Sequence, residues 1–296
     1  MKRTNRKRKK WIQGMLICLC VFLCSCTNEK ENQQEEAKAK ITTEERAEAE
    51  EYSQELFAMD TYMTLTAYGT NSEKAVTESV EEIQRLEQLW SVTEENGEIG
   101  QINQNKTGQV SQDTISVVEK AQEIGKSTGG TFDITIYPLM ELWGFTTGSY
   151  QVPKEKQILE KLSLVNGENI KLDKEKQTIT LKKGQKIDFG GIAKGYTSGK
   201  IIEGWKEKGI SSGIVSLGGN VQVLGTKPDG TLWKVGIKDP EDKEGNLLGV
   251  LSVSDCAVIT SGGYERYFEE NGALYHHILD ITTGKPANSG YSICSR

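Results

Sequence analysis

Residues 187–195 contain two adjacent glycines with an acidic side chain before them and a basic side chain after them. Asp188 precedes the glycines, and Lys194 follows them in the first turn of a helix predicted over about 192–208. A strand ending at Phe189, a glycine turn and a helix start would place backbone N–H groups and the positive end of a helix dipole at one point, which suits a phosphate. The glycines alone favour an ordinary strand-to-helix connection with a solvated Lys194.

Two nucleotide-binding motifs are excluded from this stretch. A P-loop has Lys and then Ser or Thr directly after its last glycine, whereas Tyr196 and Thr197 follow Gly195 here. The G-x-G-x-x-G fingerprint of dinucleotide-binding folds is also absent from it.

The two histidines of the chain, His276 and His277, are adjacent on a strand predicted over 275–280. Neighbours on a strand point to opposite faces, so only one of them can face a given pocket. Because an unperturbed imidazole titrates near neutral pH, it is a natural general base. A lone histidine is usually structural, but Asp280 and the turn at Gly284 favour a functional role.

Two further glycine turns could approach a ligand. Residues 216–220 read Ser-Leu-Gly-Gly-Asn, and either a close ligand or a tight hairpin turn explains them equally well. Residues 260–267 open with hydroxyls and glycines, which can hydrogen-bond a phosphate or a hydroxyl group.

The elements around these residues follow from hydrophobic periodicity. Residues 61–68 alternate as a strand, whereas 91–108 are polar and irregular. Helices are predicted over about 72–90, 113–127 and 153–162, a hairpin over 170–172 and 178–181, and strands over 213–217, 221–224, 232–237, 248–253 and 257–260. Helices flanking a largely antiparallel sheet define an α+β fold.

The N-terminus indicates export. Residues 1–26 combine seven Lys and Arg with a short apolar run that ends Leu-Cys-Ser-Cys, which resembles the lipobox of bacterial lipoproteins. That resemblance implies lipidation of Cys26 and a location on the extracytoplasmic face of the cell membrane. A cleaved secretory signal or a short anchor is the alternative. Residues 27–52 form a polar tether, and a folded domain is predicted over 53–296.

The net charge and the cysteine content argue against several other classes of protein. A net charge of −6 argues against nucleic acid as a partner. Cys256 and Cys294 are the only cysteines after Cys26, so we expect no disulfide framework, and no Cys or His spacing indicates a metal site.

Taken in order, eight segments resemble the ApbE family of flavin transferases. The matching segments are Met-Asp-Thr at 59–61, Glu-Ile-Gly-Gln-Ile-Asn at 98–103, 130–145, 188–196, Leu-Gly-Gly-Asn at 217–220, 233–240, 260–268 and 275–284. The resemblance covers about 57–290. It implies a Mg²⁺-dependent transfer of FMN from FAD to a Ser or Thr hydroxyl of an acceptor protein, with release of AMP. The implied acceptor is a membrane-associated redox protein.

The resemblance also implies site residues. The FAD site would be lined by Met59, Thr131, Phe132, Asp133, Asp188, Lys194 and the backbone at Ile278. His277 would be the catalytic base, and the Gly191 carbonyl would bind Mg²⁺.

Two departures from the family pattern bear on activity. Many members have a flavin-stacking Tyr near the position where this chain has Trp90. The family also continues past about 290 with a strand and a helix that carries Asp and Thr ligands for Mg²⁺, and we expect both elements to be missing here. The alternatives are therefore a non-catalytic FAD-binding lipoprotein, or a flavin-free substrate-binding lipoprotein with two α/β lobes.

Overall fold

Helices and strands alternate in the first half of the chain and strands predominate in the second, in a computed structural model that describes residues 50–240, 242 and 245–287 and the backbone of 293–295. The predicted signal peptide, Cys26 and the tether as far as residue 49 lie outside the described residues. The described residues within 50–227 and 232–295 belong to one folded unit. Among the described helices, none is long and apolar enough to cross a bilayer.

The described helices are α1 Ser72–Trp90, α2 Glu98–Asn105, α3 Gln112–Ser127, α4 Tyr137–Trp143, α5 Glu155–Leu162 and α6 Ala193–Glu207. The described strands are β1 Glu51–Ala58, β2 Thr61–Tyr68, β3 Thr107–Gln109, β4 Lys171–Asp173, β5 Thr178–Thr180, β6 Ser212–Leu217, β7 Asn220–Leu224, β8 Trp233–Lys238, β9 Leu247–Val253, β10 Cys256–Ser261, β11 Tyr267–Glu270, β12 Ala273–His276, β13 Leu279–Asp280, β14 Lys285–Pro286 and β15 Ile293–Ser295.

Six strands form the main sheet in the order β1-β2-β6-β7-β10-β15, and every neighbouring pair is antiparallel. Apolar residues on one face, such as Leu65 and Val215, pack in one buried cluster with Ile83 of α1 and Trp205 of α6. The hairpin of β8 and β9 contributes Trp233 to a second cluster on the other face. This arrangement confirms the predicted α+β fold with a largely antiparallel sheet.

The segment before the central glycines is not a strand, contrary to the prediction. The buried Asn103 side chain accepts from the Ile187 N–H at 2.7 Å and donates to the Ile187 carbonyl at 2.8 Å. The Asp188 N–H donates to the carbonyl of Ile134. These groups replace the neighbouring strand that periodicity implies, and α6 begins at Ala193.

Other boundaries also differ from the prediction. β1 begins at Glu51, two residues before the predicted domain start, and α2 lies within the stretch predicted to be irregular. The strand predicted over 275–280 is interrupted after His276. A three-residue β15 pairs with β10 in the region where a strand was expected to be missing, and no helix is described after Glu207.

Candidate active site

Two tight turns lie side by side at one end of the main sheet. Met59 and Asp60 connect β1 to β2 with φ angles of 47° and 59°, and Gly218 and Gly219 connect β6 to β7. A Cβ atom at Gly218 would lie 2.5 Å from the Thr61 hydroxyl, so the two turns are in contact. Non-glycine residues with positive φ are uncommon and concentrate at functional sites.

The N-terminus of α6 adjoins this end of the sheet. The Ser198 hydroxyl contacts the buried Asn220 side chain at 3.2 Å, and Asn220 follows the glycine turn directly. Lys194 lies in the first turn of this 15-residue helix, and the N-terminus of a helix favours an anion through its dipole and its backbone N–H groups. The Asp188 carboxylate accepts the Gly190 N–H at 2.7 Å and fixes the turn that leads into α6.

Both charged groups of the central stretch have perturbed pKa values. Burial raises the pKa of Asp188, and neither the Gly190 N–H nor the charge of Arg266 compensates fully. Burial lowers the pKa of Lys194, and repulsion from Arg266 lowers it further. Burial and neighbouring charges of this kind are common at functional sites.

Arg266 connects three parts of the site. Its Nη2 donates to the Asp60 carboxylate at 3.0 Å, and its Nη1 donates to the Phe145 carbonyl at 3.4 Å. Asp60 and Arg266 are 206 positions apart, so the sequence reasoning included both in matching segments but could not pair them. This ion pair connects the β1–β2 turn to the segment before β11.

His277 lies against the same segment. Its backbone N–H and its Nδ1 both contact the Arg266 carbonyl, at 3.1 and 3.0 Å. A carbonyl oxygen only accepts hydrogen bonds, so Nδ1 carries the proton and the Nε2 lone pair stays available. Burial lowers the pKa of His277, and so do the charges of Arg266 and Lys194, which keeps the ring neutral near pH 7.

The neighbouring His276 is placed differently. Its ring lies over Gly263, where an added Cβ would come within 2.7 Å of it, and its buried Nδ1 has no hydrogen-bond partner among the described residues. Of the two histidines, His277 therefore has the geometry expected of a base.

The remaining predicted binding residues differ in their burial and in their contacts within the protein. Met59 is half-buried and its N–H donates to the Glu87 carboxylate at 2.6 Å. The Phe132 ring covers Gly191, where an added Cβ would lie 3.0 Å from it. Thr131 is exposed and its hydroxyl donates to a main-chain carbonyl.

Asp133 and Ile278 are engaged within the protein. The Asp133 carboxylate accepts from the Thr135 N–H, the Thr135 hydroxyl and the Gly167 N–H, at 2.6–2.8 Å. The Ile278 carbonyl accepts from the Ala287 N–H at 2.8 Å. Their clearest role in the structure is to hold loops in place.

Trp90 does not present its face to a ligand. It is buried, packs edge-on against Phe189 and Tyr196, and donates its Nε1–H to the Thr114 hydroxyl at 2.8 Å. The position at which many family members have a stacking Tyr is therefore part of the core here.

The described residues do not by themselves form a magnesium site. No group of three acidic, His or Cys side chains lies close enough in them to hold a metal. Gly191 contributes a single carbonyl, whereas Mg²⁺ prefers six oxygen ligands.

Together these groups suit attack on a phosphate. Lys194, Arg266 and a helix N-terminus offer positive charge, and a neutral imidazole with a free Nε2 lies near enough to Lys194 and Arg266 for their charges to lower its pKa. A base beside an anion-binding site can remove the proton of a hydroxyl nucleophile.

Comparisons with known proteins agree with this geometry. Residues 59–295 match the model of the ApbE family. Proteins called FAD:protein FMN transferase from Klebsiella pneumoniae and Treponema pallidum are 29% and 28% identical over 80% and 94% of this chain and over 74% and 78% of their own length.

Solved structures give the same result. The ApbE protein of Thermotoga maritima has a TM-score of 0.78 and 32% identity over 83% of this chain and 81% of its own. The flavin transferase ApbE of Vibrio cholerae has a TM-score of 0.71 and 25% identity over 81% of this chain and 79% of its own. The chain belongs to the ApbE family.

Proposed function

We propose that this chain is an FAD:protein FMN transferase that moves FMN from FAD to a Ser or Thr hydroxyl of an acceptor protein and releases AMP. The observation that carries the proposal is the hydrogen bond from the His277 ring to the Arg266 carbonyl. It fixes the tautomer whose Nε2 can accept a proton, beside positive charge that suits a pyrophosphate.

The proposed reaction exchanges the phosphoanhydride bond of FAD for a phosphoester bond to the acceptor. His277 Nε2 takes the proton of the acceptor hydroxyl, and the hydroxyl oxygen forms a bond to the FMN phosphorus of FAD. The bond from that phosphorus to the bridging oxygen breaks, and AMP leaves with that oxygen. Lys194 and the N-terminal N–H groups of α6 stabilise the charge on the phosphate oxygens.

In the proposed FAD site, Asp188, Met59, Thr131 and Phe132 surround the substrate. The half-buried Phe132 ring beside Gly191 is the candidate for contact with the isoalloxazine. Asp133 and the Ile278 carbonyl shape the loops, because both already accept hydrogen bonds from main-chain N–H groups of the protein.

We also propose Mg²⁺ dependence, on the strength of the sequence resemblance alone. The ion would neutralise charge on the pyrophosphate when bound. Loss of transfer in EDTA, with recovery on adding Mg²⁺, is the expected result.

Location and acceptor belong to the proposal as well. Cys26 would carry the lipid and hold the domain at the extracytoplasmic face of the membrane, where membrane-associated redox proteins are natural acceptors. The support is the basic and apolar run of residues 1–26 and the polar tether that follows.

The test is incubation of the full chain with FAD, Mg²⁺ and a flavin-acceptor domain from a protein that a family member flavinylates. Covalent flavin fluorescence on the acceptor band of a denaturing gel is expected. An acceptor whose target Thr is replaced by Ala is the control. FAD binding without any label would contradict transfer and support the flavin-binding alternative.

A further inference from the structure

An exposed apolar strand adjoins the candidate site. Six of the seven residues of β9 are exposed, and they include Leu247, Leu248, Val250 and Leu251. Leu248 is 65% exposed and Val250 is 54% exposed. Large apolar side chains clustered on a surface usually mark an interaction site.

The pairing of β9 with β8 shows which side chains face outward. Trp233 pairs with Val253, and both are buried in the cluster against the main sheet. Directly paired residues share a face. Val250 pairs with Gly236 and therefore lies on the opposite, outward face, where Gly236 offers no side chain to cover it.

The turn end of this hairpin, where β8 ends at Lys238 and β9 begins at Leu247, adjoins the site. The Lys238 ammonium lies 5.5 Å from the centre of the Tyr264 ring. Tyr264 is two residues before Arg266, whose side chain contacts Asp60 and whose carbonyl orients His277. A large substrate bound in the site would therefore also cover the protein surface next to this end of the hairpin.

A second apolar pair flanks the same site. Phe57 and Tyr62 are 63% and 81% exposed and precede and follow the Met59–Asp60 turn. Their ring centroids are 5.1 Å apart with planes at 73°, an edge-to-face pair. We define the apolar rim as Leu247, Leu248, Val250, Phe57 and Tyr62.

We propose that the apolar rim is the docking surface for the acceptor protein, which covers it with apolar surface around its Ser or Thr. This inference rests on the proposed function. A specific protein interface buries roughly 800 Å² on each partner, far more than one hydroxyl in a pocket supplies. An acceptor whose hydroxyl reaches His277 must therefore cover the surroundings of the site, where these apolar side chains lie.

The test compares a rim variant with a matched control. Leu248→Gln with Val250→Thr removes apolar surface and keeps strand-compatible residues. Leu159→Gln alters another exposed leucine, 56% exposed, on α5 outside the rim. The rim variant should raise KM for the acceptor domain about tenfold. The control variant should not, and both should keep the parent kcat and FAD affinity.

Affinity for the acceptor domain, measured without FAD by biolayer interferometry, separates the two proposals. Weaker binding of the rim variant supports docking even if no transfer occurs, in which case the transferase proposal alone fails. Equal KM and equal affinity for variant and parent overturn the docking proposal, as does a parent chain that does not bind the acceptor. A rim variant that instead loses self-association or binding to anionic phospholipid vesicles, with acceptor binding intact, also overturns it.

Discussion

The contact between the His277 ring and the Arg266 carbonyl decides which ring nitrogen can act as a base. The same residue, Arg266, pairs with Asp60 and lowers the pKa values of both His277 and Lys194. One cation therefore influences the proposed base, the proposed phosphate ligand and the turn between β1 and β2.

His277→Ala should lower kcat at least about 100-fold and leave FAD affinity unchanged, because a general base contributes to the transition state. The pKa of His277 is lowered from the ordinary 6.5, so the ring stays neutral to lower pH and the acid limb of the kcat/KM profile should lie below pH 6.5. His276→Ala is the control. Transfer by His277→Ala at the parent rate, with saturating FAD and Mg²⁺, would remove His277 from the mechanism.

Arg266→Ala should move the acid limb of the kcat/KM profile to higher pH, because the positive charge that opposes protonation of His277 is removed. Arg266→Lys keeps a charge and should keep the limb closer to that of the parent. The measurement is the pH dependence of kcat/KM for both variants. A limb that stays in place in Arg266→Ala would show that this charge does not act on the base.

Lys194→Ala should weaken FAD binding about tenfold, since an ammonium in the first turn of α6 adds to the anion site of the helix. Flavin fluorescence titration measures the affinity. Lys206→Ala, in the last turn of the same helix, is the control and should bind FAD as the parent does. Equal affinities for all three proteins would exclude Lys194 from the site.

At the scale of elements, the approach to α6 depends on a buried amide rather than on a strand. Periodicity predicted most elements well, including β2, α1, α3 and the strands from β6 to β10, because their buried faces repeat at 2 or 3.6 residues. It failed for 187–189, since the partner of Ile187 is the side chain of Asn103, 84 positions away. It also missed α2, which buries only Ile99, Ile102 and Asn103.

Asn103→Ala should lower the free energy of unfolding by about 3 kcal/mol, because it leaves a buried N–H and a buried carbonyl of Ile187 without partners. Urea denaturation measures the change. Asn105→Ala, an exposed amide on the same helix, should change stability by less than about 1 kcal/mol. Equal losses for the two variants would contradict the structural role assigned to Asn103.

At the scale of the whole molecule, a charged network joins three helices across the unit. The Asp113 carboxylate of α3 bonds Arg85 of α1 and both Lys200 and Tyr196 of α6. Burial alone would raise the pKa of Asp113, but these partners lower it to about 2 from an ordinary 3.8. The network is invisible to sequence periodicity, because its members are solvent-side positions of separate helices.

A carboxyl group whose pKa is lower in the folded than in the unfolded state stabilises the fold at pH values above its unfolded pKa. This stabilisation is lost as the pH falls through the folded pKa. Asp113→Asn should therefore cost about 1–2 kcal/mol at pH 7 and weaken the loss of stability between about pH 4 and 2. Urea unfolding across pH is the measurement, with Glu123→Gln of the same helix as control. An unchanged acid dependence would show that Asp113 does not contribute to it.

Several motifs of the sequence resemblance lie on turns that meet at one end of the sheet, so residues that they proposed for the site lie close together. The structure brings Met59, Asp188, Gly191, Lys194 and His277 to that region. What could not be predicted were the links between distant segments, above all Asp60 with Arg266, and the use of the Asp133 carboxylate to hold a loop. These depend on which turns face each other, which local sequence does not encode.

The central claim is that the chain transfers FMN onto a protein hydroxyl. The most direct measurement is the intact mass of the acceptor domain after incubation with the full chain, FAD and Mg²⁺, with the released AMP quantified in the same sample. Our account predicts a mass increase equal to one FMN less water and one AMP per modified acceptor. AMP release with an unmodified acceptor would indicate FAD hydrolysis, and an unchanged acceptor without AMP would contradict the transferase account.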